Sequence, residues 1–152
     1  MLEVGSKAPD FELYGSDGKR HRLKDFRNGY LVLYFYPKDS TPGCTIEAKS
    51  FSTAISGIRR KHAEVVGVSR DDLASHSRFC SKYGLKILLL SDPSNKIIDA
   101  YDAYGDRGLF GRGTLRKTYV IGRDGRIVKI YQKVNPIGHG KEVLRFLSAL
   151  TS

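Results

Sequence analysis

Cys44 follows a Pro-Gly break at the exit of a strongly apolar run, in the stretch YFYPKDSTPGCTIEAKSF, residues 34–51. A structural thiol would more naturally sit inside the run YLVLYFY than behind it. If a helix begins at about Pro42 or Gly43, Cys44 lies in its first turn. Free backbone N–H groups and the positive end of the helix dipole there favour an anion. A thiolate is an anion, so the position suits a nucleophilic sulfur at neutral pH. Thr41 stands three residues earlier, close enough for its hydroxyl to face the same spot, while Pro37 and Pro42 stiffen the segment and remove competing N–H groups. A reactive thiol beside amide donors and a hydroxyl makes an anion-stabilising pocket. The same pattern also fits a small apolar residue that begins a helix, because free cysteines are commonly buried and inert.

These residues need elements to hold them. FELYGSDGKRHRL reads as two short strands around a Ser-Asp-Gly turn, an N-terminal β-hairpin. GYLVLYFYP, AEVVGVSRD and KILLLSDP are nearly continuous apolar runs, as expected of strands buried on both faces. After the Pro-Gly break, Ala48, Phe51, Ile55 and Ile58 recur at helical spacing. DDLASHSRFCSKYG predicts a second helix, with acidic residues at its start and Gly84 at its end. SNKIIDAYDAYG predicts a short third one stopped by Gly105. GDRGLFGRG lacks the Gly-Lys-Ser/Thr ending of a phosphate loop and reads as a mobile surface loop. RKTYVIGRDGRIVKIYQKV is a hairpin turning at Arg123-Asp124-Gly125, and Val143, Leu144, Leu147 and Leu150 give a last helix one apolar face. Strands alternating with helices, then a late hairpin, predict a three-layer α/β domain with a mixed central sheet.

The 152 residues suit a single domain, 1–152, with a core that needs no staples. The formal charge of +10 comes from 26 Lys and Arg that are scattered, the longest basic block being Arg59–Lys61. A nucleic-acid partner is not expected, since neither a concentrated basic run nor interleaved aromatic and basic residues are present. The start, MLEVGSKAPDFEL, has no apolar signal core and no run is long enough to span a bilayer, so a cytoplasmic protein is expected. Thiols there are kept reduced, which makes cysteines more often redox-active than structural. Two cysteines alone cannot build a four-ligand zinc site. His76 lies four residues before Cys80 with no further Cys or His nearby, so no metal is expected, and His21, His62 and His139 read as isolated surface or capping residues.

YPKDSTPGC, with Pro37, Thr41 and Cys44, resembles the peroxiredoxin signature Pro-x-x-x-Thr-x-x-Cys, and the longer stretch resembles the peroxiredoxin Q branch, the bacterioferritin comigratory proteins. VGSKAPDFEL, VVGVSRDD, LLLSDP, AYG and RKTYVIGRDGRI extend the likeness over nearly the whole chain. The resemblance implies a thioredoxin-like fold and reduction of hydrogen peroxide and organic hydroperoxides. It implies that Cys44 attacks the peroxide and becomes a sulfenic acid, that Thr41 hydrogen-bonds the peroxide and that Pro37 shields the sulfur from water. The family's later arginine matches Arg116, a fixed fork of donors able to hold a thiolate. Glu47, one turn after Cys44, either orients Arg116 or simply complements the helix dipole. Gly43 supports the helix start.

Many members of this branch carry a resolving cysteine five residues after the first, but here that position is Lys49. Cys80, 36 residues downstream on the following helix, matches the branch's other arrangement. The resemblance thus implies a Cys44–Cys80 disulfide reduced by a thioredoxin-like dithiol, with an external thiol as the alternative resolver. Two cysteines on different helices are expected to be too far apart to bond without local unravelling. No cofactor is implied, and the branch suggests a monomer.

Overall fold

Asp17 and Gly18 turn β1 (Glu12–Gly15) back on β2 (Arg20–Arg22) as an antiparallel hairpin, and a 3-10 turn at Leu23–Phe26 leads into β3 (Tyr30–Phe35). The chain continues through α1 (Pro42–Arg60), β4 (Ala63–Ser69), α2 (Leu73–Tyr83), β5 (Leu88–Ser91) and α3 (Lys96–Ala100). β6 (Tyr104–Asp106) and β7 (Arg112–Thr114) form a small hairpin, and β8 (Lys117–Ile121) and β9 (Ile127–Tyr131) a larger one. α4 (His139–Thr151) closes the part described by this computed structural model, residues 1–151.

Among the described residues, seven strands form one sheet in the order β2-β1-β5-β4-β3-β8-β9. β3, β4 and β5 run parallel, while β8 is antiparallel to β3 and β1 to β5, so the sheet is mixed as expected. The apolar runs occupy its middle, where both faces are covered. Along β3, Val32 and Tyr34 join the core under α1, α2 and α4, and Leu31, Leu33 and Phe35 join the opposite core with Ile98 of α3 and Phe11. Successive side chains of a strand point to opposite faces, so one apolar run serves both layers. Gly67 of β4 leaves room for a ring: a Cβ there would lie 2.7 Å from Tyr34 Cζ.

Three local expectations are corrected. α3 ends at Ala100, not at Gly105, because Asp102 turns left-handed (φ +56°) and Ala103 N–H bonds back to Ile98 O at 2.9 Å. The glycine-rich segment is a paired hairpin rather than a bare loop. Gly108 and Gly111 take positive φ, and Arg107 N–H donates to Gly111 O at 2.7 Å, with Leu109 and Phe110 exposed at its tip. On α4, Leu150 stays exposed, and Phe146 packs on the core beside Val143 and Leu147.

α2 ends as its sequence predicts, with Asp72 Oδ1 accepting Ser75 N–H at its start and left-handed Gly84 at its end. No helix among the described residues is long and apolar enough to cross a membrane.

Candidate active site

Thr41 caps α1 in an extended conformation, with Pro42 at the first helical position, where the missing N–H is not needed. The first helical bond runs from Thr45 N–H to Thr41 O at 2.9 Å. The amides of Gly43 and Cys44 come before it and face an anion-attracting helix end. Cys44 itself is buried, packed in the core beneath α1.

Arg116, the residue before β8, reaches this helix end from the neighbouring strand. Its Nη1 lies 3.5 Å from Cys44 Sγ and 2.7 Å from Glu47 Oε1. Gly43 makes that approach possible: a Cβ there would stand 3.0 Å from Arg116 Nη2. Burial works against the guanidinium's charge, but Glu47 and Cys44 facing it raise its pKa overall.

Glu47 is fully buried. Oε1 accepts from Arg116, whereas Oε2 has no hydrogen-bond partner among the described residues. Burial therefore outweighs the attraction of Arg116 and pushes the carboxyl up to about 7. The Thr41 hydroxyl donates to Lys38 O at 2.8 Å, which leaves its lone pairs to accept a hydrogen bond from another O–H. Pro37 is half-buried and lines a shallow cleft with Lys38, Arg107 and Thr114.

The structure thus brings Cys44, Glu47, Gly43 and Arg116 into mutual reach and puts Thr41 and Pro37 in the loop that leads to them. Cys80 stands apart, on α2. It is half-buried, packs against the same core as Cys44, and lines a shallow cleft with Ser16 and Leu85. Burial pushes its thiol up more than Ser16 pulls it down. Both cysteines are free.

Several buried polar groups were not singled out from the sequence. His139 stands at the head of α4 but is neither isolated nor at the surface: it is buried, bonded to Thr118 Oγ1 at 2.8 Å and Glu142 Oε1 at 2.7 Å, and flanked by the rings of Phe51 and Tyr131. Burial lowers its pKa. The Tyr34 hydroxyl is buried with no partner among the described residues. Asp39, inside the Pro37–Thr41 loop, meets His76 of α2 at 2.6 Å. The only sequence signal for that pair was the position of each residue near a cysteine.

The profile of the AhpC/TSA family matches residues 4–130. Peroxiredoxin Bcp of Bacillus subtilis is 39% identical over 153 residues, covering 99% of this chain and 98% of that protein. Peroxiredoxin Bcp of Xanthomonas campestris is 36% identical over 152 residues, covering 98% of this chain and 95% of its own. The crystal structure of a cysteine-to-serine variant of PrxQ from Xylella fastidiosa superimposes with a TM-score of 0.95 at 34% identity, covering 100% of this chain and 99% of that one. The fold is thioredoxin-like, and the chain belongs to the AhpC/TSA family as a peroxiredoxin of the Bcp/Q kind, a thiol peroxidase.

Proposed function

We propose that Cys44 is the peroxidatic residue of this enzyme. The observation that carries the reading is the Arg116 donor 3.5 Å from Sγ at the head of α1. The thiolate attacks the terminal oxygen of a peroxide; the O–O bond breaks, the sulfur is oxidised to a sulfenic acid, and the departing oxygen leaves as water or an alcohol once protonated. Thr41 accepts a hydrogen bond from the peroxide O–H, and the amides of Gly43 and Cys44 together with Arg116 stabilise the charge moving along the breaking bond. Glu47 holds Arg116 by the 2.7 Å bond, and Pro37 limits water on the open side.

Cys80 is the resolving residue. Its sulfur attacks Cys44 Sγ, an S–S bond forms, and the sulfenic hydroxyl leaves as water. A thioredoxin-like dithiol then returns both thiols. Residues 1–152 act as one domain, a monomer in the cytoplasm, on hydrogen peroxide and organic hydroperoxides. The buried, protonation-favouring setting of Cys80 fits a residue that becomes nucleophilic only after α2 loosens.

The test is peroxide consumption with a dithiol reductant. Cys44→Ser abolishes it. Cys80→Ser allows one turnover and then stalls or over-oxidises, and mass spectrometry of the oxidised parent finds a Cys44–Cys80 link. Sustained turnover by Cys80→Ser at the parental rate overturns the two-cysteine route and leaves a one-cysteine enzyme served by an external thiol.

A further inference from the structure

Asp39 lies five residues before Cys44 in the β3–α1 loop, and His76 lies four residues before Cys80 on α2. Their side chains are 2% and 0% exposed and meet at 2.6 Å, His76 Nδ1 to Asp39 Oδ2. The other ring nitrogen, Nε2, stands 2.9 Å from Leu90 O in β5. Both nitrogens thus face oxygen atoms, so the ring is held at its two ends by the loop and by β5. Asp39 takes two more bonds, from the Tyr36 hydroxyl at 2.6 Å and the Ser75 hydroxyl at 2.9 Å, and its own N–H donates to Asp71 Oδ2 at 2.9 Å.

The loop's hold is therefore on the resolving helix and the turn before it: Asp71, Ser75 and His76 all lie within residues 71–76. Next to Asp39, Ser40 is held at φ +65°, a conformation that serine adopts only when its surroundings impose it. The side chains of Asp39, Asp71 and His76 also crowd closely enough to ligate a cation. Their bonds to one another and to Tyr36, Ser69, Ser75 and Leu90 already account for the cluster.

We propose that the Asp39–His76 pair is a latch that fastens the peroxidatic loop to the resolving helix, setting how fast Cys80 reaches oxidised Cys44. The inference rests on the two-cysteine route above. In the latched state Cys44 keeps its place under Arg116, while Cys80 stays on an intact α2. Closing the disulfide moves one cysteine's element toward the other, and the pair at the base of both must part. A buried polar group that loses its hydrogen-bond partner is disfavoured, so the pair holds the latched state until both groups reach water. Asp39 and His76 are positioning residues, since neither touches the reacting sulfurs.

Closure competes with a second peroxide, which oxidises the sulfenic acid to sulfinic acid. Asp39→Asn keeps the shape but replaces one of the carboxyl oxygens that hold Tyr36, Ser75 and His76, and His76→Gln removes the ring that spans from Asp39 to Leu90. Each is tested in the full chain, with the double variant, by intact-mass measurement of sulfinic acid formed during turnover with dithiothreitol at rising hydrogen peroxide. The expected result is that either single change raises the peroxide concentration needed for over-oxidation about tenfold, and that the double variant goes no further than the larger single effect. A merely structural role would lower the melting temperature without moving that threshold.

A threshold that falls or changes less than threefold, with the Cys44–Cys80 link still formed, overturns the latch and spares the peroxidase reading. Singles that move the threshold by threefold or more but add in the double variant overturn the pairing. A parent that turns over without that link overturns both.

Discussion

Glu47→Gln tests whether burial or Arg116 governs the carboxylate at the heart of the site. The carboxyl is fully buried, one oxygen is bonded to Arg116 and the other is unpartnered among the described residues. Its pKa rises from the ordinary 4.5 to about 7, burial being the larger cause and Arg116 opposing it. A carboxyl whose folded pKa lies above its unfolded one binds more protons in the folded state between the two values. Its contribution to stability is fully present below pH 4.5 and is lost as pH rises through 7. At about 1.4 kcal/mol per pH unit, that loss amounts to about 2 to 3 kcal/mol between pH 5 and pH 8.

Glutamine keeps an oxygen for Arg116 and cannot ionise. At pH 5, where Glu47 is mostly protonated, the variant and the parent should unfold at nearly the same guanidinium concentration. At pH 8 the variant should be more stable by about 2 to 3 kcal/mol, because every other titrating group is common to both proteins and cancels in the difference. Denaturation curves at the two pH values measure this directly. A gap that stays flat from pH 5 to pH 8, or a variant less stable than the parent at pH 8, refutes the reasoning. The attraction of Arg116 would then outweigh burial, and Glu47 would be a plain ion-paired carboxylate.

Two further outcomes follow from neighbouring atoms. Tyr34→Phe removes a buried hydroxyl with no partner among the described residues and keeps the ring stacked on Phe51 at 4.6 Å. An unmade hydrogen bond costs roughly 1–3 kcal/mol, so the melting temperature should rise by a few degrees, and a fall would show that the hydroxyl has a partner in solution. Gly43→Ala puts a methyl 3.0 Å from Arg116 Nη2. A guanidinium shifted by a few tenths of an ångström should lower kcat/KM for hydrogen peroxide about 3- to 10-fold with little change in melting temperature, and an unchanged kcat/KM would overturn the claim that Gly43 is needed for the approach of Arg116.

What the sequence shows of this site, and what it hides, divides along a physical line. The position of Cys44 was legible because every contributor is local: an apolar strand, a Pro-Gly break and a helical repeat carried by Ala48, Phe51, Ile55 and Ile58, all of which are buried. Arg116 was reachable only through family resemblance, since 72 residues separate it from Cys44 and the antiparallel β3–β8 register joins them. The glycine-rich hairpin was misread because glycine content marks flexibility in the unfolded chain, whereas here Gly108 and Gly111 supply the positive φ angles that close a turn. Asp39 and His76 were hidden for the opposite reason. Each looks like an ordinary polar residue, and their meeting requires β3, β4 and β5 to lie side by side so that the loop after the first touches the helix before the last. Polar groups that the fold makes neighbours leave no periodic trace. Such a pair is also the kind able to couple two segments, because separating it leaves each buried polar group with a burial cost that the other had offset. The setting of Cys44 at a helix head is therefore written in local sequence, whereas its contact with Arg116 and the pairing of Asp39 with His76 are properties of the tertiary fold.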